Sequence, residues 1–525
     1  MSQLGEDPST TVPAQPAALP ATAPLRTLRE ARERQGARGR LGACVRRLAG
    51  LSPRRILATV PATGWLCALL ACLNAASWSL VTPPFQVPDE PEHVAYVKQL
   101  AETGRLPSHF GSFSLEETLA LEDVHLQSVA ERPENETIAT RAQLRQLQRD
   151  LLRGRRSGQK GSEYAGVAAS QPPLYYALQA IPYTLASSAN LLGRMEAMRL
   201  LSALMGGLTA LFAFMFVREA LPGAPWAWPV GGLCVALVPL LGFMSGAVSP
   251  DAMLYAVTAA LFYCLARTFR AGLTRGRAVA LGSLVALGFA TKLNFLGVAP
   301  GALAGLVWLA LRARRTLGAA AYGWLALALA IALSPLAVYV VGHALSGSSP
   351  LGIASTGLDH TGRPLWDQLS YIWQLYLPRL PGMPVDFAGV STTREIWFDW
   401  YVGLYGWLDT TFPGWVYDFA LIPAGLIAAL SLRGLIASRA ALRARAVELA
   451  IYVAMVVGLL VLMGMDSYRT FPRLDAEYGE IRYVLPLLPL LGVALALAAR
   501  GAGRRWGPAV GAVMIVLFLA HDVFS

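Results

Sequence analysis

The chain has 525 residues, of which 55% are hydrophobic and only 15% are charged, and its mean hydropathy is positive. This composition excludes a soluble globular protein and indicates an integral membrane protein. The net charge of +11 comes mostly from arginine, which is concentrated in short segments between apolar runs. That placement is typical of a charge that sets membrane orientation, so we expect membrane lipids and no nucleic acid as partners.

The N-terminal region differs in composition from the rest of the chain. It is rich in proline, alanine and arginine and has no sustained apolar face. We predict a disordered, basic, cytoplasmic tail over residues 1–55 and a polytopic membrane domain over residues 56–525. The arginines from Arg26 to Arg55 precede the first apolar run and place the N-terminus inside.

Hydropathy and the positions of the basic segments together predict about 11 transmembrane helices in an all-α protein. We place these spans at 56–81, 199–217, 226–248, 251–267, 278–296, 297–311, 318–343, 414–432, 446–465, 482–499 and 506–524. The basic segments 267–277, 312–315, 433–445 and 500–505 then all lie on the cytoplasmic side, and the C-terminus lies outside.

Two large extracytoplasmic loops separate these spans. The first, residues 82–198, is predicted to contain amphipathic helix within 114–153 and a helix lying in the outer membrane interface over 172–198. The second, residues 344–412, is dense in tryptophan and tyrosine. Such density is most often an interfacial aromatic belt, and it also suits stacking against sugar rings.

One stretch after the first span concentrates the polar chemistry. Residues 88–93 read Pro-Asp-Glu-Pro-Glu-His, so the carboxylates of Asp89, Glu90 and Glu92 stand beside the imidazole of His93. Asp89 is predicted to cap the helix that follows, but capping explains one carboxylate and not three. Because acidic residues at a membrane edge are costly unless they are used, we predict the chemical centre of the protein here.

Further polar residues fall on the same predicted side of the membrane. They predict a cavity at the outer leaflet, acidic at one end, in which two cationic side chains are available for an anion. Its predicted substrate-binding residues are Glu92, His93, Gln171, Tyr175, Asp251, Lys292, Trp407, Asp409, Arg482 and Tyr483.

Three of these residues also have structural interpretations, which the sequence leaves open. Asp251 could cap its own helix after Ser249-Pro250, Lys292 could extend to the interface, and Arg482 could be a flanking anchor.

A divalent cation is a further interpretation of the acidic stretch. Asp89 and His93, with Glu92, have the oxygen and imidazole ligands that could hold Mg or Mn. No glycine-rich loop with the lysine of a nucleotide site occurs, and no Gly-x-Ser-x-Gly elbow occurs. ATP-driven chemistry is therefore not expected.

Taken in order, the polar motifs resemble those of the GT-C superfamily of membrane glycosyltransferases, and most closely a bacterial family of predicted membrane proteins in that clan. The resemblance covers about residues 56–499. It is carried by Pro88-Asp89-Glu90-x-x-His93-x-x-Tyr96, Gln171-Pro172-Pro173-Leu174-Tyr175-Tyr176, Ser249-Pro250-Asp251-Ala252, Thr291-Lys292, Gly406-Trp407-Leu408-Asp409-Thr410 and Arg482-Tyr483-x-x-Pro486.

The resemblance implies a GT-C-like fold and an inverting transfer of sugar from a polyprenyl-phosphate donor to a glycan or lipid acceptor. The reaction would take place on the extracytoplasmic side of a bacterial inner membrane. In that family an acidic residue of the first outer loop is the catalytic base, which corresponds to Asp89. This chain departs from the pattern at Gln171, where relatives often carry a charged residue.

The residues fit this chemistry without the resemblance. A sugar hydroxyl is a poor nucleophile, so a carboxylate such as Asp89 can take its proton, with Glu90 or Glu92 orienting the acceptor or a metal. The leaving phosphate needs charge stabilisation, which Lys292 and Arg482 could supply.

The competing hypothesis is a transporter or flippase for a lipid-linked or anionic solute. It predicts charges near the middle of the bilayer, discontinuous helices and symmetric halves. A scaffold protein of the envelope would need no acid cluster. Because the charged residues lie near the outer face, we favour the enzyme.

Overall fold

Helices account for almost all of the regular structure. The computed structural model describes residues 60–125, 140–345, 365–384, 393–407, 410–474 and 481–525, with backbone alone at 343 and 469–474. The predicted tail, residues 1–55, lies outside these ranges. Apart from the two-residue strands β1 (Leu404–Tyr405) and β2 (Thr410–Thr411), which pair antiparallel, the described chain confirms an all-helical architecture.

The α-helices of the described ranges are numbered in chain order. They are α1 (Ala62–Val81), α2 (Glu90–Thr103), α3 (Leu115–Asp123), α4 (Arg141–Arg156), α5 (Leu174–Leu185), α6 (Leu191–Ala220), α7 (Trp228–Ala236), α8 (Pro239–Ser245), α9 (Pro250–Ala271), α10 (Arg275–Thr291), α11 (Phe295–Leu317), α12 (Ala319–Leu345), α13 (Leu365–Tyr376), α14 (Trp400–Gly403), α15 (Gly414–Ala437), α16 (Arg439–Ala444), α17 (Ala446–Leu474), α18 (Leu488–Gly501) and α19 (Gly503–Phe524). Short helical turns cover Gly166–Ser170, Pro225–Ala227, Glu395–Asp399 and Ile481–Leu487.

Nine helices in these ranges are long and apolar enough to cross a membrane. They are α1, α6, α9, α11, α12, α15, α17, the segment Ile481–Gly501 and α19. Residues Pro225–Ala236 and Pro239–Ser245 add a tenth if they form one span, which is bent by 54°. The structure is therefore that of a multi-pass membrane protein.

The predicted count of 11 spans is not confirmed. The span predicted at 278–296 corresponds to α10, which has 17 residues and is not among the nine candidates. At 1.5 Å per residue α10 is about 25 Å long. It ends because Lys292 takes an extended conformation, with φ −155° and ψ 141°, and α11 begins at Phe295.

The first predicted loop contains four helices in its described part. The amphipathic segment predicted over 114–153 forms α3 and α4, and residues 126–139 between them lie outside the described ranges. Both helices begin with a reciprocal capping box, Ser114 with Glu117 and Thr140 with Gln143.

The prediction of one interfacial helix over 172–198 is wrong in its second half. Only Leu174–Leu185 forms a separate short helix, α5. The candidate span α6 already begins at Leu191, eight residues before the predicted 199, because the Asn190 side chain accepts a 2.9 Å bond from Gly193 N and caps it.

The described part of the second loop packs against the spans. In α13, the Tyr371 and Ser467 hydroxyls lie 2.7 Å apart, and Tyr376 Oη donates to Leu460 O at 2.7 Å. Trp366 and Trp373 stay exposed on its other face. The tyrosines of this helix therefore serve packing against α17.

Helix α9 is the centre of the described bundle. Its side chains contribute to three separate apolar clusters: Leu261 and Leu265 to one, Met253 and Val257 to another, and Tyr255 to a third. By contrast α12, α15 and α19 are mostly exposed, as expected of lipid-facing helices. The first turn of α9, from Pro250 to Met253, is completely or almost completely buried.

Candidate functional site

The site is built around an unusual turn at Asp89. This residue has φ 64° and ψ 3°, a left-handed conformation that costs free energy for a residue with a side chain. The prediction that the Asp89 side chain caps α2 is wrong, since it makes no capping bond. Instead its Oδ2 accepts a 2.6 Å bond from Nη2 of Arg482.

The neighbouring carboxylate turns the other way. Glu90 is completely buried, and its carboxylate accepts hydrogen bonds from Nε and Nη2 of Arg199, at 2.8 and 2.6 Å. The backbone N–H groups of Phe85 and Val248 also donate to Glu90, at 3.1 and 3.0 Å. Because both of its oxygens are occupied by protein donors, the predicted catalytic role of Glu90 does not fit this geometry, and Glu90 acts as a structural anchor.

Arg199 is the main residue that the sequence analysis missed. Besides Glu90, its guanidinium donates to the carbonyls of Ser79, Thr82 and Pro83, at 2.9, 3.0 and 3.2 Å. It therefore ties the end of α1 and the start of α2 to α6. The sequence contains a signal for this role, because an arginine within a long apolar segment costs free energy unless it has a partner inside the protein.

Two cations face one aromatic ring beside Asp89. The ring centroid of Tyr483 lies 4.8 Å from Nζ of Lys292 and 5.1 Å from Cζ of Arg482. These distances are within the range of cation–π attraction. Arg482 also donates to Pro88 O at 3.2 Å, so Asp89, Lys292, Arg482 and Tyr483, all predicted site residues, meet in one place.

Asp251 and Lys292 form a second, fully enclosed pair. Both carboxylate oxygens of Asp251 lie 2.8 Å from Nζ of Lys292, and neither residue is more than 5% exposed. The structural alternatives for these residues do not apply: Ser249 is the N-cap of α9, and Lys292 points into the protein and not to the interface. Arg482 is likewise no flanking anchor, since its side chain is only 4% exposed.

Burial and neighbouring charges shift the pKa values of Asp89, Glu92 and His93 in different ways. Burial raises the pKa of Asp89, but the adjacent Arg482, together with Lys292, outweighs this and holds the pKa below its usual value. Burial and the charge of Asp89 raise the pKa of Glu92 to about 7. Burial lowers the pKa of His93 to about 3. At neutral pH Asp89 is therefore ionised and His93 is uncharged.

Glu92 is held by the turn Gly166–Ser170, and His93 is held by α5. Oε2 of Glu92 accepts from Val167 N at 2.7 Å, and Nδ1 of His93 lies 3.0 Å from the Tyr176 hydroxyl. The Tyr176 ring stacks on Tyr96 with 3.7 Å between centroids. Glu92 keeps partial exposure, whereas His93 is buried.

The other predicted residues line the edges of this arrangement. Gln171 Oε1 accepts from Leu293 N at 3.2 Å, next to Lys292. Tyr175 is fully buried with its hydroxyl 2.9 Å from Ser202 Oγ, so it is a packing contact to α6. Trp407 Nε1 donates to Phe85 O at 2.9 Å and so supports the same turn as Glu90. Asp409 lies outside the described residues.

The metal interpretation gains no support from the geometry. Within the described ranges, no group of three or more His, Cys, Asp or Glu side chains is placed to hold a metal ion. Asp89 is engaged by Arg482, and His93 by Tyr176. We derive no step through Mg or Mn.

What the arrangement offers chemically is one accessible anion beside two cations. The Asp89 side chain is 28% exposed, whereas Glu90 and Asp251 are completely buried. Asp89 can therefore meet a substrate proton. A substrate anion would have to displace a protein partner of Arg482 or Lys292, since neither side chain is more than 6% exposed.

Replacing Arg199 by methionine should be strongly destabilising, because it leaves Glu90 buried without a counter-charge. We expect a loss of about 3–5 kcal/mol, measured by thermal or denaturant unfolding in detergent. Arg194→Met is the matched control on the same helix, since its pair with Glu102 is partly exposed and should cost about 1 kcal/mol or less. Equal effects of the two substitutions would contradict the anchoring role of Arg199.

Glu92 should make stability pH-dependent. Its folded-state pKa, about 7, is above the ordinary 4.5, so the folded state holds the proton more tightly. The stabilisation is present below about pH 4.5 and is lost as the pH rises towards 7. Between pH 5 and pH 8 the wild type should thus lose stability relative to Glu92→Gln, measured as the difference in unfolding midpoint. The exposed Glu163→Gln is the control, and parallel curves for all three proteins would refute the assignment.

Comparison with known proteins places the chain in a family. No curated protein and no solved structure matches it. A family model described as "Predicted membrane protein (DUF2142)" matches residues 72–491, which include the acidic stretch, Asp251, Lys292 and Arg482. Because the match covers most of the sequence, the chain belongs to this family of predicted membrane proteins.

Proposed function

We propose that the protein is a GT-C-type glycosyltransferase. It transfers a sugar from a polyprenyl-phosphate donor to a glycan or lipid acceptor of the cell envelope, on the extracytoplasmic side of a bacterial inner membrane. The observation that carries this proposal is the partly exposed carboxylate of Asp89, held ionised 2.6 Å from Arg482 and near Lys292.

The reaction requires a single displacement. The acceptor hydroxyl oxygen forms a bond to the anomeric carbon as the bond from that carbon to the phosphate oxygen breaks. Asp89 takes the hydroxyl proton, and the polyprenyl phosphate leaves with the electron pair. One displacement inverts the configuration, and no second carboxylic acid is needed because the phosphate leaves unprotonated.

The two cations stabilise the departing phosphate. Lys292 and Arg482 approach the same Tyr483 ring, so both could contact one phosphate group. Asp251 orients Lys292, since both of its carboxylate oxygens lie 2.8 Å from Nζ. Asp251 is thus a positioning residue, which agrees with its complete burial.

Arg482 links donor binding to the strength of the base. In this structure it pairs with Asp89 and keeps the pKa of that carboxyl low, which makes Asp89 a weak base. A donor phosphate that takes over Arg482 would weaken this pair and raise the pKa of Asp89. The base would then become stronger once the donor is bound.

The remaining site residues have supporting roles in the proposal. Glu92, partly exposed and close to Asp89, orients the acceptor, and uncharged His93 fixes the start of α2 through Tyr176. Gln171, Trp407 and Asp409 are proposed to border the substrates, as the sequence analysis predicts.

Transport is the second candidate, and one observation favours it. The pair α7 and α8 is bent by 54° at a short break, and discontinuous helices are common in transporters. A transporter would move the lipid-linked donor across the bilayer without consuming it.

Transfer of labelled sugar from polyprenyl-phosphate donors, measured with the full chain in proteoliposomes, distinguishes the two candidates. Asp89→Asn should reduce transfer by about 10²–10⁴-fold, since that is the usual contribution of general base catalysis. Glu163→Gln, an exposed carboxylate of the same loop, is the control and should transfer at the wild-type rate.

Full transfer by Asp89→Asn would refute the assigned base. Movement of the labelled donor across the bilayer, with no sugar transferred to any acceptor tested, would instead support transport and refute the enzyme.

A further inference from the structure

A second charged cluster lies at the other end of α9, away from Asp251. Arg267 and Arg270 stand one helical turn apart near the end of this helix. Nη1 of Arg267 lies 2.8 Å from one oxygen of Glu219, and Nη1 of Arg270 lies 3.1 Å from the other. One carboxylate thus holds two guanidinium groups side by side.

The carboxylate of this cluster is buried, whereas its two guanidinium groups are half exposed. Glu219 is 3% exposed, whereas Arg267 and Arg270 are 48% and 50% exposed. A guanidinium has five N–H donors, so each arginine keeps donors on its exposed side after bonding to Glu219. The carboxylate acts as an internal orienting group and leaves an outward-facing pair of cations.

The position of Glu219 is not explained by its own helix. It lies in the last turn of α6, where the helix dipole disfavours a negative side chain. Its ion pairs with Arg267 and Arg270 compensate for this unfavourable position. Arg445, the residue between α16 and α17, adds to the same cluster, since its Nη1 donates to Ala220 O at 2.7 Å and its Nε and Nη2 donate to Glu448.

The surroundings add positive charge and interfacial character. Arg277 donates to the carbonyls of Ala271, which ends α9, and of Gly272, at 2.9 and 2.6 Å. Arg218 lies over the ring of Trp228, 5.6 Å from its centroid. Five arginines and two glutamates, Glu219 and Glu448, leave the cluster net positive, and tryptophan is typical of the membrane interface.

The depth of the cluster in the membrane follows from its helices. Both α6 and α9 are candidate spans, and both end here. Side chains at the ends of spans lie at the level of the lipid headgroups. A phosphodiester is the anion present at that level in high amount, and guanidinium pairs bind phosphate through several parallel hydrogen bonds.

We propose that Arg267 and Arg270, oriented by Glu219, form a binding site for the phosphodiester of an anionic phospholipid. The site is separate from the one at Asp89 and does not depend on the proposed transfer reaction. Its ligand is an anionic lipid of the leaflet that contacts the ends of α6 and α9, with phosphatidylglycerol as the probe.

The test uses the delipidated full chain in a neutral detergent. Retention of added lipid is measured by native mass spectrometry, and the unfolding midpoint is measured as lipid is titrated. Phosphatidylglycerol should bind and raise the midpoint, whereas phosphatidylcholine and inorganic phosphate at the same concentration should not. An equal shift with inorganic phosphate would overturn the lipid assignment.

Three variants separate an oriented site from general charge attraction. Arg267→Gln/Arg270→Gln should weaken phosphatidylglycerol binding at least tenfold, whereas Arg439→Gln/Arg443→Gln, an equal loss of charge in exposed α16, should change it less than twofold. Glu219→Gln makes the cluster more positive yet should also weaken binding, because the guanidinium groups lose their orientation.

Two results would refute the site: tighter binding by Glu219→Gln, or equal losses in the two double variants. If the first double variant does not fold, Arg270→Gln alone keeps the 2.8 Å pair of Arg267 with Glu219. It should still weaken binding several-fold, and unchanged binding would refute the proposal.

Discussion

The site depends on a left-handed turn that sends two neighbouring carboxylates to two different arginines. Glu90 pairs inside the protein with Arg199 of α6, and Asp89 pairs with Arg482 in the turn before α18. With φ 64° at Asp89, this turn joins segments from three distant parts of the sequence. Glu90 is fixed by Arg199 and by two backbone N–H groups, so the accessible carboxylate of Asp89 is held in place by its buried neighbour.

The charged groups of the site lie at helix ends that α9 brings together. Asp251 lies in the first turn of α9, Lys292 follows α10, and Arg482 precedes α18. Lys292 and Arg482 both face the Tyr483 ring, and Asp251 binds Lys292 from the first turn of α9. Charge balance is local: two carboxylates face two cations, so a bound anion must compete with Asp89 for Arg482. Donor binding and base strength are therefore linked in our proposal.

The sequence was sufficient to predict the helical membrane class and the location of the polar residues that meet, because apolar runs and out-of-place charges are local signals. It was not sufficient for their pairing. The sequence predicts that Asp89 caps its own helix, but in the structure its side chain binds a tertiary partner, Arg482. The local sequence pattern does not reveal that Glu90 is engaged, because its partner Arg199 lies 109 residues away. The sequence analysis begins the span at 199 and so omits the first residues of α6. Their start is marked by a local cap, Asn190, which lies inside the segment predicted to be interfacial.

The most direct test of this account is a double-mutant cycle on Asp89 and Arg482, measured by unfolding of the full chain in detergent. If the two side chains are paired as described, Asp89→Asn and Arg482→Gln should not be additive. The expected coupling free energy is about 1–3 kcal/mol, since the pair is partly buried and charge-assisted. Additive effects, within about 0.3–0.5 kcal/mol, would mean that Asp89 and Arg482 do not interact, and the central claim of the site would be wrong.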